Sequence, residues 1–386
     1  MSWIFVVRAL SYTLGSTIGG ILADKKDGID AHVLLLAALL NGAVTLALIP
    51  MAKNAWMLFA LFSLNGLTNG ALTNLPQVLL IKAWGADFGP WMQGLHAFYG
   101  LGATLAPLLA MPFVGTGHAG DIGNAYYIVS ALHACVAGIL LYAKRSLQNE
   151  SCKNADDNHS SNAPLLLGRF YGRAATALTA VFVFLYVGSE VTFGGLLYAY
   201  ARKGPAAMSD RKSASITTVF WSAFTAGRFL AIPVSRRICP QDFLSISLAG
   251  VAVSLTVLCY FAYGAQNAAF LWIGACMFGA FNAPIYATAI SLLGSYVSVS
   301  GKVMSVLVAA DTLGEMSIPA LIGQLMAHQG ENAFVLVTTI TCTAAALVYA
   351  LLRAAAYRGR RNAIGKSSRY LYGAIDDDDD DDASCE

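Results

Sequence analysis

The chain has 386 residues, of which 57% are hydrophobic and only 12% charged, with a mean hydropathy of +0.59. A soluble globular domain carries about 25% charge, so that class is excluded. A net charge of +2 offers no basic surface for nucleic acid, and seven scattered Cys without a CxxC or a Cys/His cluster suggest neither a disulfide framework nor a metal site.

Long apolar runs follow one another through most of the length. They read as residues 3–23, 31–51, 55–81, 88–113, 124–143, 174–200, 214–237, 242–264, 268–297, 302–327 and 332–353, about eleven in all. About 20 apolar residues cross the roughly 30 Å hydrocarbon layer as a helix. With no water there, the backbone must satisfy its own hydrogen bonds, so an all-α membrane protein is expected. A β-barrel would show alternating segments of about ten residues, and none appear. The first run is too long for a cleaved signal and flows into Ala23-Asp24-Lys25-Lys26.

Two stretches stand apart. Residues 144–173 are polar, rich in Ser, Asn and Asp, and read as a flexible bridge. Residues 354–386 begin basic and end in seven consecutive Asp, 376–382, which self-repulsion should keep solvated and disordered. The division is therefore 1–143, a first bundle; 144–173, a linker; 174–353, a second bundle of six helices; and 354–386, a tail.

The two bundles echo each other. Thr13-x-Gly15 recurs as Thr225-x-Gly227, and Leu101-Gly102-x-x-x-x-Pro107 as Leu313-Gly314-x-x-x-x-Pro319, both 212 residues apart. Asn74-x-Pro76 recurs as Asn282-x-Pro284, 208 apart. Parallel copies of a helical block are characteristic of transporters that rock one half against the other around a central site. The span near 175–200 would have its counterpart before Met1, so the pattern reads as twelve spans with the first not in this sequence. Pro76, Pro107, Pro284 and Pro319 should kink their helices.

A charge at mid-span costs roughly 2.5–3.5 kcal/mol and needs a reason. The candidates are Arg8, Glu190, Arg228, Asp311 and Glu315. Asp311 and Glu315 share a helix face one turn apart, so a proton or a bound cation would relieve their repulsion. The alternatives are a brace for a neighbouring helix, or for Asp311 a place near the aqueous end. Glu190 and Arg228 lie on successive spans and could pair, either as a brace or as a gate. Arg8 is near enough to its helix end to snorkel. Neutral polar residues suit a sugar, whose hydroxyls both donate and accept while its C–H face takes an aromatic ring. Asn65 and Asn69 share a face, as do Gln93, His96 and Gly100; Asn282 precedes a Pro-Ile-Tyr turn, and Trp221 could supply a stacking surface. Each alone is more simply an interhelical hydrogen bond.

The stretch Gly20-Ile-Leu-Ala-Asp24-Lys-Lys-Asp-Gly28 resembles the loop motif after the second span of the major facilitator superfamily. Four further stretches are those around Gln93–Gly102, Tyr186–Gly194, Trp221–Arg228 and Leu313–Gly323. They resemble the sodium-dependent glucose transporter branch, which is related to bacterial fucose–proton symporters. The resemblance implies a two-bundle fold of twelve helices and cation-coupled uptake of a monosaccharide by alternating access. It carries onto His96, Glu190, Trp221, Arg228 and Glu315, but not onto Asp311, where the family has a small residue. The expected sugar site is Gln93, His96, Asn65, Asn69, Trp221 and Asn282; the expected coupling site is Glu190, Glu315, Asp311 and Arg228. No cofactor is expected beyond Na+ or H+ as coupling ion, and no enzymatic activity. Another small polar solute with H+ coupling, or a non-transporting sensor or degenerate fragment, are the alternatives. Lys and Arg concentrate on the side of the 144–173 bridge, which places that side and the C-terminus in the cytoplasm; a monomer in the plasma membrane is expected, although the charge pattern itself fixes neither.

Overall fold

The structure is a computed structural model that describes residues 2–24, 30–113, 122–151 and 169–379. The middle of the bridge, the end of the Gly20–Gly28 motif and the last three Asp of the acidic run lie outside them. The described residues are almost wholly helical. Helix α1 spans Ser2–Ala23, α2 Ala31–Leu48, α3 Ala55–Trp84, α4 Phe88–Ala110 and α5 Ile122–Ser151. The second half holds α6 Arg169–Lys203, α7 Asp210–Ser235, α8 Pro240–Tyr260, α9 Ala268–Asn282, α10 Ile285–Gly294, α11 Gly301–Gln329 and α12 Ala333–Asp379. The backbone of α12 stays helical beyond residue 353, where the tail was expected to begin.

Helices α9 and α10 are two pieces of one crossing. Pro284 has no N–H to offer the carbonyl of Ala280, four residues back, and the helix breaks there. Helix α7 uses the break: a Cβ on Gly227 would lie 2.7 Å from the Ala280 carbonyl oxygen. The matching position in the first half, Gly15, meets the Leu67 carbonyl on α3 in the same way. Pro76 and Pro319, by contrast, sit inside unbroken helices α3 and α11.

By length and composition, eight of the crossings are apolar enough to span a membrane; α1, α4 and α7 are not among them. Those three make much of the seam between the halves. Helix α1 packs on α11, α4 packs on α7 and α10, and α3 reaches α11. Under the internal repeat α1 corresponds to α7 and α4 to α11, so the contact of α1 with α11 and that of α7 with α4 exchange under one pseudo-dyad. Within each half the pairings also correspond: α1 with α3 and α7 with α9, α2 with α3 and α8 with α9, α2 with α5 and α8 with α12. The polar faces that lower the hydropathy of the seam helices therefore look across the interface between the two bundles.

Candidate functional site

The seam is fastened at one end, where α1 and α10 finish and α11 begins. Asp24 accepts hydrogen bonds from the backbone N–H groups of Gly301 at 2.7 Å and Lys302 at 2.8 Å, so a carboxylate from the first half caps a helix of the second. Gly20 and Gly301 touch backbone to backbone, leaving no room for a side chain on either. One turn deeper, the Asn74 amide donates to Ser16 O, Ser16 Oγ and Ser305 Oγ at 2.9–3.1 Å. Ser305 Oγ in turn lies 3.1 Å from Ser16 O. The second fastening joins α4 to α10: Gln93 Nε2 donates to Pro284 O at 3.1 Å and to Thr288 Oγ1 at 2.9 Å. Sequence reading gave Gln93 to a sugar; the structure finds its amide N–H groups engaged in clamping the halves, with Oε1 buried and unpartnered.

Above these clamps lies the charged centre. Arg228 Nη2 stands 3.5 Å from Glu190 Oε1, and both side chains are buried. Arg228 also donates to the His96 carbonyl at 3.1 Å, which carries the pair across the seam to α4. Its guanidinium lies over the Phe224 ring, 4.3 Å from the centroid. Gly100, whose face was read with Gln93 and His96, leaves the space beside Arg228 and Thr225. Tyr186 Oη is 2.7 Å from Glu190 Oε2 and also contacts the backbone carbonyl of Asn282 at the α9–α10 break. One hydroxyl proton cannot satisfy two acceptors, so this cluster is one proton short while Glu190 is ionised.

Asp311 and Glu315 share a face of α11 as expected, one partly buried and the other open to solvent. Asp311 is within electrostatic range of Glu190 and Glu315, and Glu315 of Arg8 on α1. Arg8 is exposed, as a side chain reaching its helix end would be, and adds only a weak attraction to Glu315. With all five ionised, three acids face two bases.

The predicted sugar residues divide. His96 and Asn282 sit at the seam, with His96 Nε2 and both side-chain atoms of Asn282 buried without hydrogen-bond partners. Asn65 and Asn69 are together on α3, but the Asn69 amide is spent on Asn65 O at 2.9 Å and Asn65 Oδ1 at 2.8 Å. Trp221 is 38% exposed and lies against Gly194, where an added Cβ would meet the indole at 2.2 Å. Gly194 thus serves close approach, Gly195 meets nothing, and α6 is unbroken at both. Sequence reading missed Gln77 and Tyr286. Gln77 is fully buried with Oε1 unpartnered, and the buried Tyr286 hydroxyl is likewise unpartnered. The ring of Tyr286 packs edge-on to His96 at 4.8 Å. The available signal was Gln77 one residue past Pro76, on a helix already carrying Asn65, Asn69 and Asn74. Among the described residues, no group of three or more His, Cys, Asp or Glu could hold a metal ion.

Comparison with known proteins agrees with this geometry. The Major Facilitator Superfamily profile matches residues 1–209. Sodium-dependent glucose transporter 1 of Danio rerio is 30% identical, over 91% of this chain and 63% of that protein, so the chain spans less than two thirds of that relative. The human protein of the same name is 30% identical over 88% of this chain and 69% of its own length. Sodium-dependent glucose transporter 1A of Mus musculus is 30% identical over 93% and 88%. Among solved structures, the fucose:proton symporter of E. coli superimposes with a TM-score of 0.71 at 16% identity, covering 91% of this chain and 90% of that one. A proton:xylose symporter gives 0.64 at 12% identity, over 89% and 84%. The chain is a multi-pass integral membrane protein and belongs to the major facilitator superfamily.

Proposed function

We propose that this protein carries a monosaccharide across a membrane by alternating access, coupled to Na+. Its named relatives are sodium-dependent glucose transporters, and its structural neighbours include two sugar–proton symporters. The observation that carries the reading is the group of buried polar atoms without partners where the bundles meet: Gln77 Oε1, Gln93 Oε1, His96 Nε2, Arg228 Nε, Tyr286 Oη, Asp311 Oδ1 and the Asn282 amide. An unpaired buried polar group costs about 1–3 kcal/mol, which a polar ligand would recover. His96, Gln93 Oε1 and Asn282 supply donors and acceptors for hydroxyls, Trp221 an aromatic face, and Asn65 and Asn69 flank from α3. Glu190, Asp311 and Glu315 outnumber Arg8 and Arg228 by one charge, an imbalance that one cation removes. Arg228 is already engaged by Glu190, which disfavours an anionic substrate.

The fastened end is the cytoplasmic one on the distribution of Lys and Arg. The described state is then closed to the cytoplasm, with the C-terminus inside. Each copy contains both rocking halves, 1–143 and 174–353, so a monomer in the plasma membrane suffices. Labelled glucose uptake into proteoliposomes, with a Na+ gradient and with choline in its place, tests the proposal. Uptake that ignores the gradient removes the coupling, and no uptake of any monosaccharide removes the substrate class.

A further inference from the structure

A closed circuit of contacts runs around the α9–α10 break and begins and ends on α4. From the His96 carbonyl it passes to Arg228 on α7 at 3.1 Å, and from Arg228 to Glu190 on α6 at 3.5 Å. Tyr186, one turn before Glu190, stands 2.7 Å from its Oε2 and touches the carbonyl of Asn282, the last residue of α9. Across the break, Pro284 O accepts from Gln93 Nε2 at 3.1 Å, which returns the circuit to α4 one turn from His96. Thr288 braces that end: its hydroxyl donates to Pro284 O at 2.7 Å and accepts from Gln93 at 2.9 Å. The two sides of the break are thus held by different halves, Asn282 by α6 of its own half and Pro284 by α4 of the other.

Pro284 has no N–H, so the turn it interrupts takes its rigidity from these outside grips. Tyr186 has one proton and two acceptors, and a carboxylate is the stronger of them. The hydroxyl is shared with the carbonyl only while packing holds Asn282 against it. When α4 draws back, His96 O and Gln93 leave together, because they share one turn of one helix. Pro284 is then free, Asn282 moves off, and the hydroxyl turns wholly to Glu190. We infer that Tyr186 is a positioning residue that makes the Glu190–Arg228 pair and the α9–α10 break one two-state element. With the seam closed the break is held; with the seam parted α10 swings on Ala283 and Pro284. The inference rests on the two halves rocking, as in the function proposed above, and not on which solute or ion they carry.

The test is hydrogen exchange read by mass spectrometry on the full-length chain in nanodiscs, with thermal stability alongside. Tyr186→Phe removes the hydroxyl alone and keeps the ring stacked on Phe182, the two centroids 6.0 Å apart, so its Tm should stay near that of the wild type. Exchange over residues 283–290 should rise about tenfold or more, while α8 and the body of α9 exchange as in the wild type. Gln93→Leu should speed the same residues. The double variant should do so by clearly less than the product of the two singles, since either substitution opens the same circuit. Unchanged exchange at 283–290 in Tyr186→Phe overturns the inference, as does a rise spread equally through α8, α9 and α10, or single effects that multiply. Monosaccharide uptake absent from a wild-type chain whose variants show the confined, non-multiplying response would sink the transport reading and leave the element standing.

Discussion

Asp24 is the most exposed link in the fastening, and replacing it with Ala should loosen that end of the molecule. The carboxylate accepts two short backbone N–H bonds at the start of α11. It also sits where the helix dipole favours negative charge. Hydrogen bonds to a charged group contribute about 1.5–3 kcal/mol each when buried. Asp24 is only partly buried, so water would replace much of what is lost, and about 2–3 kcal/mol for the pair is a fair figure. At about 1.4 kcal/mol per factor of ten, the ratio of closed to open at this end should fall roughly 30- to 150-fold. Asp24→Asn, which keeps one neutral acceptor, should fall between. Spin labels on Cys introduced at Trp84 and Ser298, exposed positions in opposite halves at this end, would report the change by pulsed EPR as a second, longer distance. A single distance identical in wild type and Asp24→Ala would refute the reasoning, because it would mean that the cap contributes nothing across the seam.

Three further outcomes are expected. Glu190→Gln and Arg228→Met should each destabilise by about 3–5 kcal/mol, since each strands a buried partner, while the double variant should cost clearly less than the sum; additive losses in chemical denaturation would contradict the pairing. Gly70→Val should prevent folding, because even a Cβ there would lie 1.9 Å from the Tyr12 carbonyl oxygen, whereas Gly94→Ala, with nothing within 4 Å, should behave as wild type in size-exclusion and thermal assays. Gln93→Leu removes two bonds between α4 and α10. It should change the maximal uptake rate more than the KM if clamping is its main role, and a pure rise in KM would return it to the sugar site.

Much of this was legible in the chain itself. The eleven crossings follow from the apolar runs, and the Thr-x-Gly and Leu-Gly echoes gave the pseudo-dyad before any contact was known. The Glu190–Arg228 pair could be read because two opposite charges on successive spans have few other ways to be neutral. Gln77 and Tyr286 were not legible, because their importance lies in lacking a partner, and only the packing of three helices reveals that. The role of Asn74 was hidden for a similar reason: its partners Ser16 and Ser305 are ordinary small residues, and one is 231 positions away. Gln93 shows the opposite limit. Its side chain was read as polar and inward-facing, but its position does not say whether an amide meets a ligand or a carbonyl on the opposing helix.

The repeat also relates residues that no longer do the same work. Ser16 and Arg228 stand 212 positions apart, as do Gln93 and Ser305, while Asn74 answers to Asn282. One trio is the hydrogen-bonded latch of α1, α3 and α11; its twin carries the arginine of the ion pair and most of the unmet amide valences. Duplication left two sockets of common origin: the first ties α1, α3 and α11 together, while in the second Gln93 and Arg228 still reach across the seam and Asn282 keeps both side-chain polar atoms unpartnered. Tuning the first should therefore alter how fast the molecule cycles without altering what it selects.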